Sequence, residues 1–412
     1  MKKLLTVLLA ALIVLSCVSS LAEEQTTLTL WCIATESDAN RPAYEAAIAE
    51  FEAAHPDIKI DWSAYENESY KTKIKAAMAD PDSLPDIFVS WAGAFLGDFV
   101  NVGNIYCLDE IYPAFAEDLP EVMLQNASYN GSHYGVPLTM NVVVLFANMD
   151  LLAEVGWDHI PETYEDLTAC CDALLEKGII PFGCAGKETW CVTEYLEPIM
   201  EKTIGYETLG AIFAGEETWN NEGIAASVST LQEMIDKGYF DPSGMALGND
   251  EVKSNFINGK YAFYQNGSWN CGEINDAEGN FAVGLFPVMD SEKASYRQLI
   301  GGPSDTLAIS SHSKNAELAA NSAMELGRSI CHYGYLTGAG LPAWTPNYDT
   351  SDVKPLVATV ADIVANSEGM VLFGDTAMSG DPAYTYLDYV SMVYGGEING
   401  TDFIEGLAGD LQ

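Results

Sequence analysis

Basic residues are scarce in this sequence. Among its 412 residues, 18 are Lys or Arg and 60 are Asp or Glu, so the formal net charge is −42 at pH 7. Nucleic-acid binding needs clustered cations that neutralise phosphates, and binding to anionic lipid needs a basic patch. The composition argues against both kinds of partner. It favours a soluble monomer that resists association and a ligand that is neutral or cationic.

The sequence also lacks the short motifs of common catalytic and metal sites. HExxH, GxSxG, the P-loop, GxGxxG and CxxC are all absent. The five histidines have no metal-binding spacing; they are His55, His133, His159, His312 and His332. Pairs of carboxylates, which a glycosidase needs, carry no weight in so acidic a chain. We expect no catalytic residue, no cofactor and no bound metal.

Residues 1–22 have the features of an export signal. Two lysines precede an apolar run from Leu4 to Leu15, which is too short to span a bilayer. Cleavage after Ala22 would give an ordinary secreted protein. The segment ending at Cys17 resembles a bacterial lipobox, and cleavage there would leave Cys17 lipidated. Both alternatives place the mature protein outside the cytoplasm, and only the second gives it a membrane anchor.

Strands and helices alternate through the first quarter of the mature chain. The apolar patterns predict strands at 27–31, 58–62 and 86–93, and helices over about 42–54 and 69–78. This alternation is typical of a parallel sheet that is covered by helices on both faces. In such sheets, ligands bind beyond the carboxyl ends of the strands.

Tryptophans recur where predicted strands end. Asn258-Gly259 predicts a turn before a strand, and Asn266-Gly267 predicts a second turn that delivers Trp269. A single Trp at such a position is more often a core residue, because Trp is usually well buried. The recurrence of strand-end and loop tryptophans instead favours aromatic platforms in one pocket.

These aromatic residues, with polar neighbours, suit a sugar. A sugar presents hydroxyls at its rim and C–H groups on its faces, so it needs aromatic surfaces and a few planar polar side chains. The candidate ligand-binding residues are Trp91, Trp190, Trp269, Trp344, Glu36, Asp38, Asn141, Lys187, Asn270, Asp305 and Asp375. The alternative for the acidic members is that they are ordinary solvated loop residues.

Several short segments occur in an order that resembles a known family. They are Trp31 with its strand, 86–91, Val136-Pro137 leading to 148–152, 259–262 with 266–269, Gly301-Gly302, and 315–319. Together they resemble the extracellular solute-binding proteins of carbohydrate ABC importers, the maltose-binding-protein-like group. Asn141 departs from that pattern, since some relatives carry an acidic ligand residue there, and the chain after Trp344 diverges.

The resemblance implies a two-lobed periplasmic-binding-protein-like α/β fold. Each lobe would be a mainly parallel sheet flanked by helices, and the lobes would close around a ligand in the cleft between them. The implied N-lobe is 25–143 plus 286–311, and the implied C-lobe is 144–285 plus 312–412. The chain would cross between the lobes near Val144, Leu285 and Ser311.

The implied function is capture of a neutral mono- or oligosaccharide for delivery to a membrane ABC permease. A protein of the same fold could instead bind a polyamine or another cationic solute, using tryptophans with Asp or Glu at the amine ends. A secreted glycoside hydrolase is the third alternative. Carboxylates rather than amides between the tryptophans would favour the cationic ligand.

Overall fold

The computed structural model describes residues 25–378 and 380–411, so the predicted export signal and Cys17 lie outside the described residues. The strands are β1 (Thr26–Cys32), β2 (Ile58–Ala64), β3 (Ile87–Trp91), β4 (Ser128–Tyr129), β5 (Ser132–His133), β6 (Gly135–Asn148), β7 (Ile180–Phe182), β8 (Tyr261–Gly267), β9 (Phe281–Gly284), β10 (Gln298–Ile309), β11 (Leu341–Pro342) and β12 (Gly369–Val371).

The helices surround these strands along the whole described chain. They are α1 (Arg41–Ala54), α2 (Asn67–Ala79), α3 (Ala94–Asn101), α4 (Met149–Glu154), α5 (Tyr164–Glu176), α6 (Trp190–Ile204), α7 (Tyr206–Phe213), α8 (Glu222–Asp236), α9 (Asn249–Ile257), α10 (Cys271–Asp276), α11 (Ala316–Thr337), α12 (Pro355–Ala365), α13 (Gly374–Ala377), α14 (Gly380–Tyr394) and α15 (Gly400–Asp410). Short 3-10 turns also occur, among them Glu121–Ala127 and Ser268–Asn270.

One sheet joins the two halves of the molecule in the order β2-β1-β3-β10-β6-β8-β7. At one end β1 is parallel to β2 and β3, and at the other end β7 is parallel to β8. The long strands β6 and β10 lie between these ends and pair antiparallel with each other and with their outer neighbours. The expected α/β fold is present, with parallel strands at each end of a mixed sheet.

Buried apolar residues divide into separate cores on either side of this junction. The half that contains β1, β2 and β3 is called the N-half, and its core includes Leu28, Phe88 and, from one end of β6, Leu138. The half that contains β7 and β8 is called the C-half. In the C-half, alternate residues of β6 face two different cores: Leu145 faces one and Phe146 faces the other. Because successive side chains of a strand point to opposite faces, the C-half sheet is buried on both sides.

Local signals in the sequence predict the helix starts well. Thr163, directly before α5, accepts a hydrogen bond from the backbone N–H of Asp166 at 3.1 Å, as an N-cap threonine does. The helices predicted to start near Pro42 and Ser69 begin at Arg41 and Asn67.

The location of helix α11 disagrees with the lobe division that the resemblance implies. The division assigns residues 312–412 to the C-lobe, whereas Ala319, Met324 and Ile330 of α11 belong to the N-half core, where the helix packs against α1. An amphipathic sequence shows that a helix has an apolar face, but it does not show which core covers that face. The other lobe boundaries stay a prediction.

Lys202 of α6 fixes the start of β10. Its side chain is 2% exposed and lies 2.9 Å from the carboxylate of Glu201. The ammonium also donates to the carbonyls of Ser295, Tyr296 and Gln298, at 3.1, 3.2 and 2.5 Å. A single buried cation therefore satisfies three backbone acceptors where the chain enters a strand that both halves share.

We predict that Lys202→Met lowers the free energy of unfolding by about 3 kcal/mol, because it leaves the buried Glu201 carboxylate without its partner. Urea denaturation measures this loss. Lys187→Met is the matched control, since Lys187 is exposed, and it should leave stability unchanged. Equal stability of the two variants would show that the buried pair does not fix β10.

Candidate ligand-binding cleft

A cleft of about 430 Å³ lies between the two halves. This volume falls within the range of roughly 300–1,000 Å³ that is usual for small-molecule sites. The N-half contributes the loop after β1, helix α2 and the end of β3, and the C-half contributes the start of α6, the turn after β8 and α13. The lining includes seven of the predicted site residues: Asp38, Trp91, Trp190, Trp269, Asn270, Asp305 and Asp375.

Half-buried tryptophans stand on both walls of the cleft. Trp91, at the end of β3, packs against the N-half core, and its ring centre lies 5.2 Å from that of Phe95. Trp190 and Trp269 come from the C-half, with ring centres 6.1 Å apart, and Phe373 lies 6.2 Å from Trp269. The cleft thus offers aromatic surface on two sides.

The turn that carries Trp269 differs from the predicted Asn-Gly turn. Asn266 and Gly267 remain in β8, and the chain turns only at Ser268–Asn270. Glycine is needed at 267 because the Trp269 ring folds back over it, so that a Cβ there would lie 2.0 Å from the ring. The Asn270 amide donates to the Asn266 side chain at 2.9 Å and to the Gly267 carbonyl at 3.1 Å, which braces the turn.

Asn141 lies behind the cleft floor and is not part of the lining. It is 1% exposed, its amide nitrogen donates to Asp305 at 3.3 Å, and its oxygen accepts from Ser268 at 2.9 Å. It therefore ties the turn that carries Trp269 to the Asp305 carboxyl. Asn141, predicted to contact the ligand, is thus absent from the cleft lining, because its polar side-chain atoms bond inside the protein.

Asp305 reaches the cleft at an irregularity in the sheet. The pairing of β10 with β6 shifts register on both sides of Asp305. Bulges of this kind turn a side chain out of the regular alternation, and they are frequent beside functional sites. Thr139 donates to the Asp305 carboxyl at 3.0 Å and so fixes its orientation.

Three other predicted site residues lie away from the cleft lining. Glu36 is exposed and pairs with Arg41 at 3.4 Å, and Lys187 is also exposed. Trp344 is 3% exposed in the N-half core, and its indole N–H donates to the Pro137 carbonyl at 2.7 Å. Trp344 is thus a core residue, because a strand-end position does not determine where the indole ring points.

Sequence reasoning missed the lining residues that lie on or next to helices. They include Glu66, Lys71, Lys75, Glu194 and Lys253. Charged residues at helical spacing are normally a solvated face, and no strand end marks them. The one available signal was the i, i+4 spacing of Lys71 and Lys75, which puts both on one side of α2.

Two carboxyls at the floor resist ionisation. Burial, together with the nearby Asp305 charge, raises the pKa of Asp38 to about 6, although the hydrogen bond from the backbone N–H of Asn40 opposes this rise. Burial also raises the pKa of Asp305, and hydrogen bonds from Thr139 and Asn141 oppose that shift. A protonated carboxyl can donate as well as accept hydrogen bonds, and for Asp38 that form predominates only below a pH of about 6.

Among residues 25–378 and 380–411, no group of three or more His, Cys, Asp or Glu side chains is arranged to hold a metal ion. The helices in the same part of the chain are all too short or too polar to cross a bilayer.

Known proteins share both this fold and this sequence pattern. The profile of the family described as bacterial extracellular solute-binding protein matches residues 46–325. A solved structure from work on xylan utilization by the thermophilic bacterium Caldanaerobius polysaccharolyticus superposes with a TM-score of 0.89 at 30% identity, covering 94% of this chain and all of that one.

Two curated relatives extend the match. An uncharacterized ABC transporter extracellular-binding protein of Pyrococcus horikoshii is 26% identical over 352 residues, which are 84% of this chain and 79% of the relative. A multiple sugar-binding protein of Streptococcus mutans is 23% identical over 310 residues, 72% of this chain and 70% of the relative. The chain therefore belongs to the family of bacterial extracellular solute-binding proteins, and it is a non-enzymatic, solute-binding component of an ABC transporter.

Proposed function

We propose that the ligand is a neutral carbohydrate, a mono- or oligosaccharide, which the protein captures between its halves and delivers to an ABC permease. The observation that carries this proposal is the presence of tryptophans from both halves in one cleft, Trp91 on one side and Trp190 with Trp269 on the other. Aromatic surfaces on two sides suit a flat ring whose faces carry C–H groups.

The polar groups beside these tryptophans support the same ligand class. Asn270 offers a planar amide, and Asp38 and Asp305 offer carboxyls whose pKa burial raises. Few, well-placed polar groups in a largely aromatic pocket are what a sugar's hydroxyls require. The oxygens of these carboxyls can accept hydrogen bonds from a sugar's hydroxyls.

The relatives support a carbohydrate without naming the sugar. The Streptococcus mutans protein is named as a multiple sugar-binding protein, and the structure from Caldanaerobius polysaccharolyticus comes from work on xylan utilization.

Contacts across one end of the cleft support closure around the ligand. The Lys75 ammonium of α2 lies 4.1 Å from the centre of the Tyr384 ring of α14. Gly93, with φ of 73°, lies so near the other half that a Cβ there would be 2.5 Å from the carbonyl oxygen of Thr376. The two halves therefore touch at this end, and a hinge motion that separates them would break these contacts.

A cationic solute such as a polyamine is the second candidate. In the part of the chain that the structure describes, nine carboxyl side chains line the cleft against three lysines. One of these lysines, Lys253, is already paired with Glu273 at 2.7 Å and Asp250 at 3.4 Å. Tryptophans with carboxylates would suit an ammonium ligand.

We predict that an oligosaccharide raises the melting temperature of the mature protein, because a ligand that binds only the folded state stabilises it by mass action. A thermal-shift series with xylotriose, maltotriose, chitotriose and spermidine measures this. A concentration-dependent shift with one of the sugars supports the proposal. A shift with spermidine alone would replace it with the second candidate.

Trp269→Ala should weaken binding of that sugar by roughly 1–3 kcal/mol, the scale of a lost buried aromatic contact. Isothermal titration calorimetry gives the affinity, and circular dichroism checks that the fold is intact. Trp157→Ala is the matched control, because Trp157 packs outside the cleft lining. Unchanged affinity in Trp269→Ala would remove this residue from the site.

The pH dependence of binding separates the two candidates. The pKa of Asp38 is about 6, so its carboxyl gains a negative charge as the pH rises through that value. A cationic ligand should therefore bind more tightly above pH 6 than below it. Spermidine titrations on both sides of this pH test the point, and Asp38→Asn should reduce the change. An affinity for spermidine that falls as the pH rises would contradict the second candidate.

A further inference from the structure

An unpartnered polar pair lies on the C-half wall of the cleft. Glu194 is 3% exposed and lines the cleft one turn of α6 beyond Trp190. Within the described residues, its Oε2 atom is buried and has no hydrogen-bond partner, and the same is true of the Trp190 Nε1 atom. Buried polar atoms without a partner are rare, and each one requires an explanation.

The surroundings of Glu194 do not supply the missing partner. Gln265 donates to the backbone carbonyl of Glu194 at 2.6 Å and leaves the carboxyl unbonded. The next acid along the helix, Glu197, is fully engaged: it accepts from the Gly374 N–H at 3.1 Å and from the Tyr386 hydroxyl at 3.0 Å. Among the described residues, the Glu197 carboxyl thus has hydrogen-bond partners, whereas the Glu194 carboxyl, one turn earlier on the same helix and at the cleft wall, has none.

The electrostatics of this wall favour an uncharged carboxyl. Burial, and then the charges of Glu197 and Asp375, raise the pKa of Glu194 well above its usual value. A protonated carboxyl has one donor and retains an acceptor, and an indole N–H is a donor. This set complements a hydroxyl group, which both donates and accepts.

We propose that Glu194 and the Trp190 N–H form a hydroxyl-binding subsite, at which the bound saccharide supplies the hydrogen bonds that the protein lacks. This inference rests on the carbohydrate function proposed above and adds a specificity element to it. The sugar unit at this wall must carry a free hydroxyl, because an analogue without it would leave both buried groups unpaired, and sites built for a hydroxyl reject such analogues strongly.

The test compares Glu194→Leu with Glu197→Leu. Glu194→Leu should weaken binding of the tightest of xylotriose, maltotriose and chitotriose by about tenfold or more, the scale of lost hydrogen bonds to a buried group. Its ligand-free melting temperature should stay equal or rise, since an unsatisfied buried carboxyl is removed. Glu197→Leu should instead lower the ligand-free melting temperature, because it leaves the Gly374 N–H and the Tyr386 hydroxyl without an acceptor.

Two milder variants sharpen the readout. Glu194→Gln keeps a donor and an acceptor and should retain more affinity than Glu194→Leu. Trp190→Phe keeps an aromatic ring but loses the N–H, so it should weaken binding without abolishing it. Calorimetry at one fixed pH gives all four affinities.

The outcomes separate the two proposals. If none of the three sugars binds the unmodified protein, the carbohydrate function fails and the subsite fails with it. If a sugar binds and Glu194→Leu binds it equally well, only the subsite is overturned. A ligand-free melting temperature that falls as far in Glu194→Leu as in Glu197→Leu would make Glu194 a structural residue and would also overturn the subsite.

Discussion

The antiparallel pairing of β6 with β10 is the constraint on which the rest of the molecule depends. Both strands pass through both halves. Because buried backbone groups must keep their hydrogen bonds, this ladder fixes the position of the N-half core relative to the two C-half cores. The cleft lies over the same ladder. Its floor is formed where the register shifts beside Asp305, and Asn141 on the neighbouring strand connects this point to the turn that carries Trp269.

How far the sequence determines the site depends on whether the signal is local. Helix caps and strand periods are local, so the order of elements and the position of Trp269 could be predicted. Trp344 shows the limit: the sequence predicts it as a loop residue of the site, but its indole points into the N-half core, where the Pro137 carbonyl accepts its hydrogen bond. The core that α11 joins and the role of Glu194 depend equally on contacts between residues that are distant in sequence.

The acidic composition has two different structural meanings. Most carboxylates are solvated and keep the surface negative, whereas those of α6 are buried in the C-half. Along this helix, Glu201 is neutralised by Lys202 and Glu197 is satisfied by hydrogen bonds, while Glu194 at the cleft wall is neither. Binding sites often lower the stability of the folded protein. The unpaired Glu194 carboxyl, next to the paired Glu197 carboxyl on the same helix, is a local example.

The attachment of β10 determines where the molecule could bend. Lys202 holds the carbonyls up to Gln298, and three residues later Gly301 and Gly302 have φ of 136° and 143°, a region that glycine alone enters without strain. A pivot at this pair would lie only a few residues from Asp305. In any rotation, groups near the axis move least. Asp305 and Asn141 would therefore stay together, while Trp91 moves away from Trp190 and Trp269. An incoming ligand would then meet a preformed hydrogen-bonding base before the aromatic surfaces close on it.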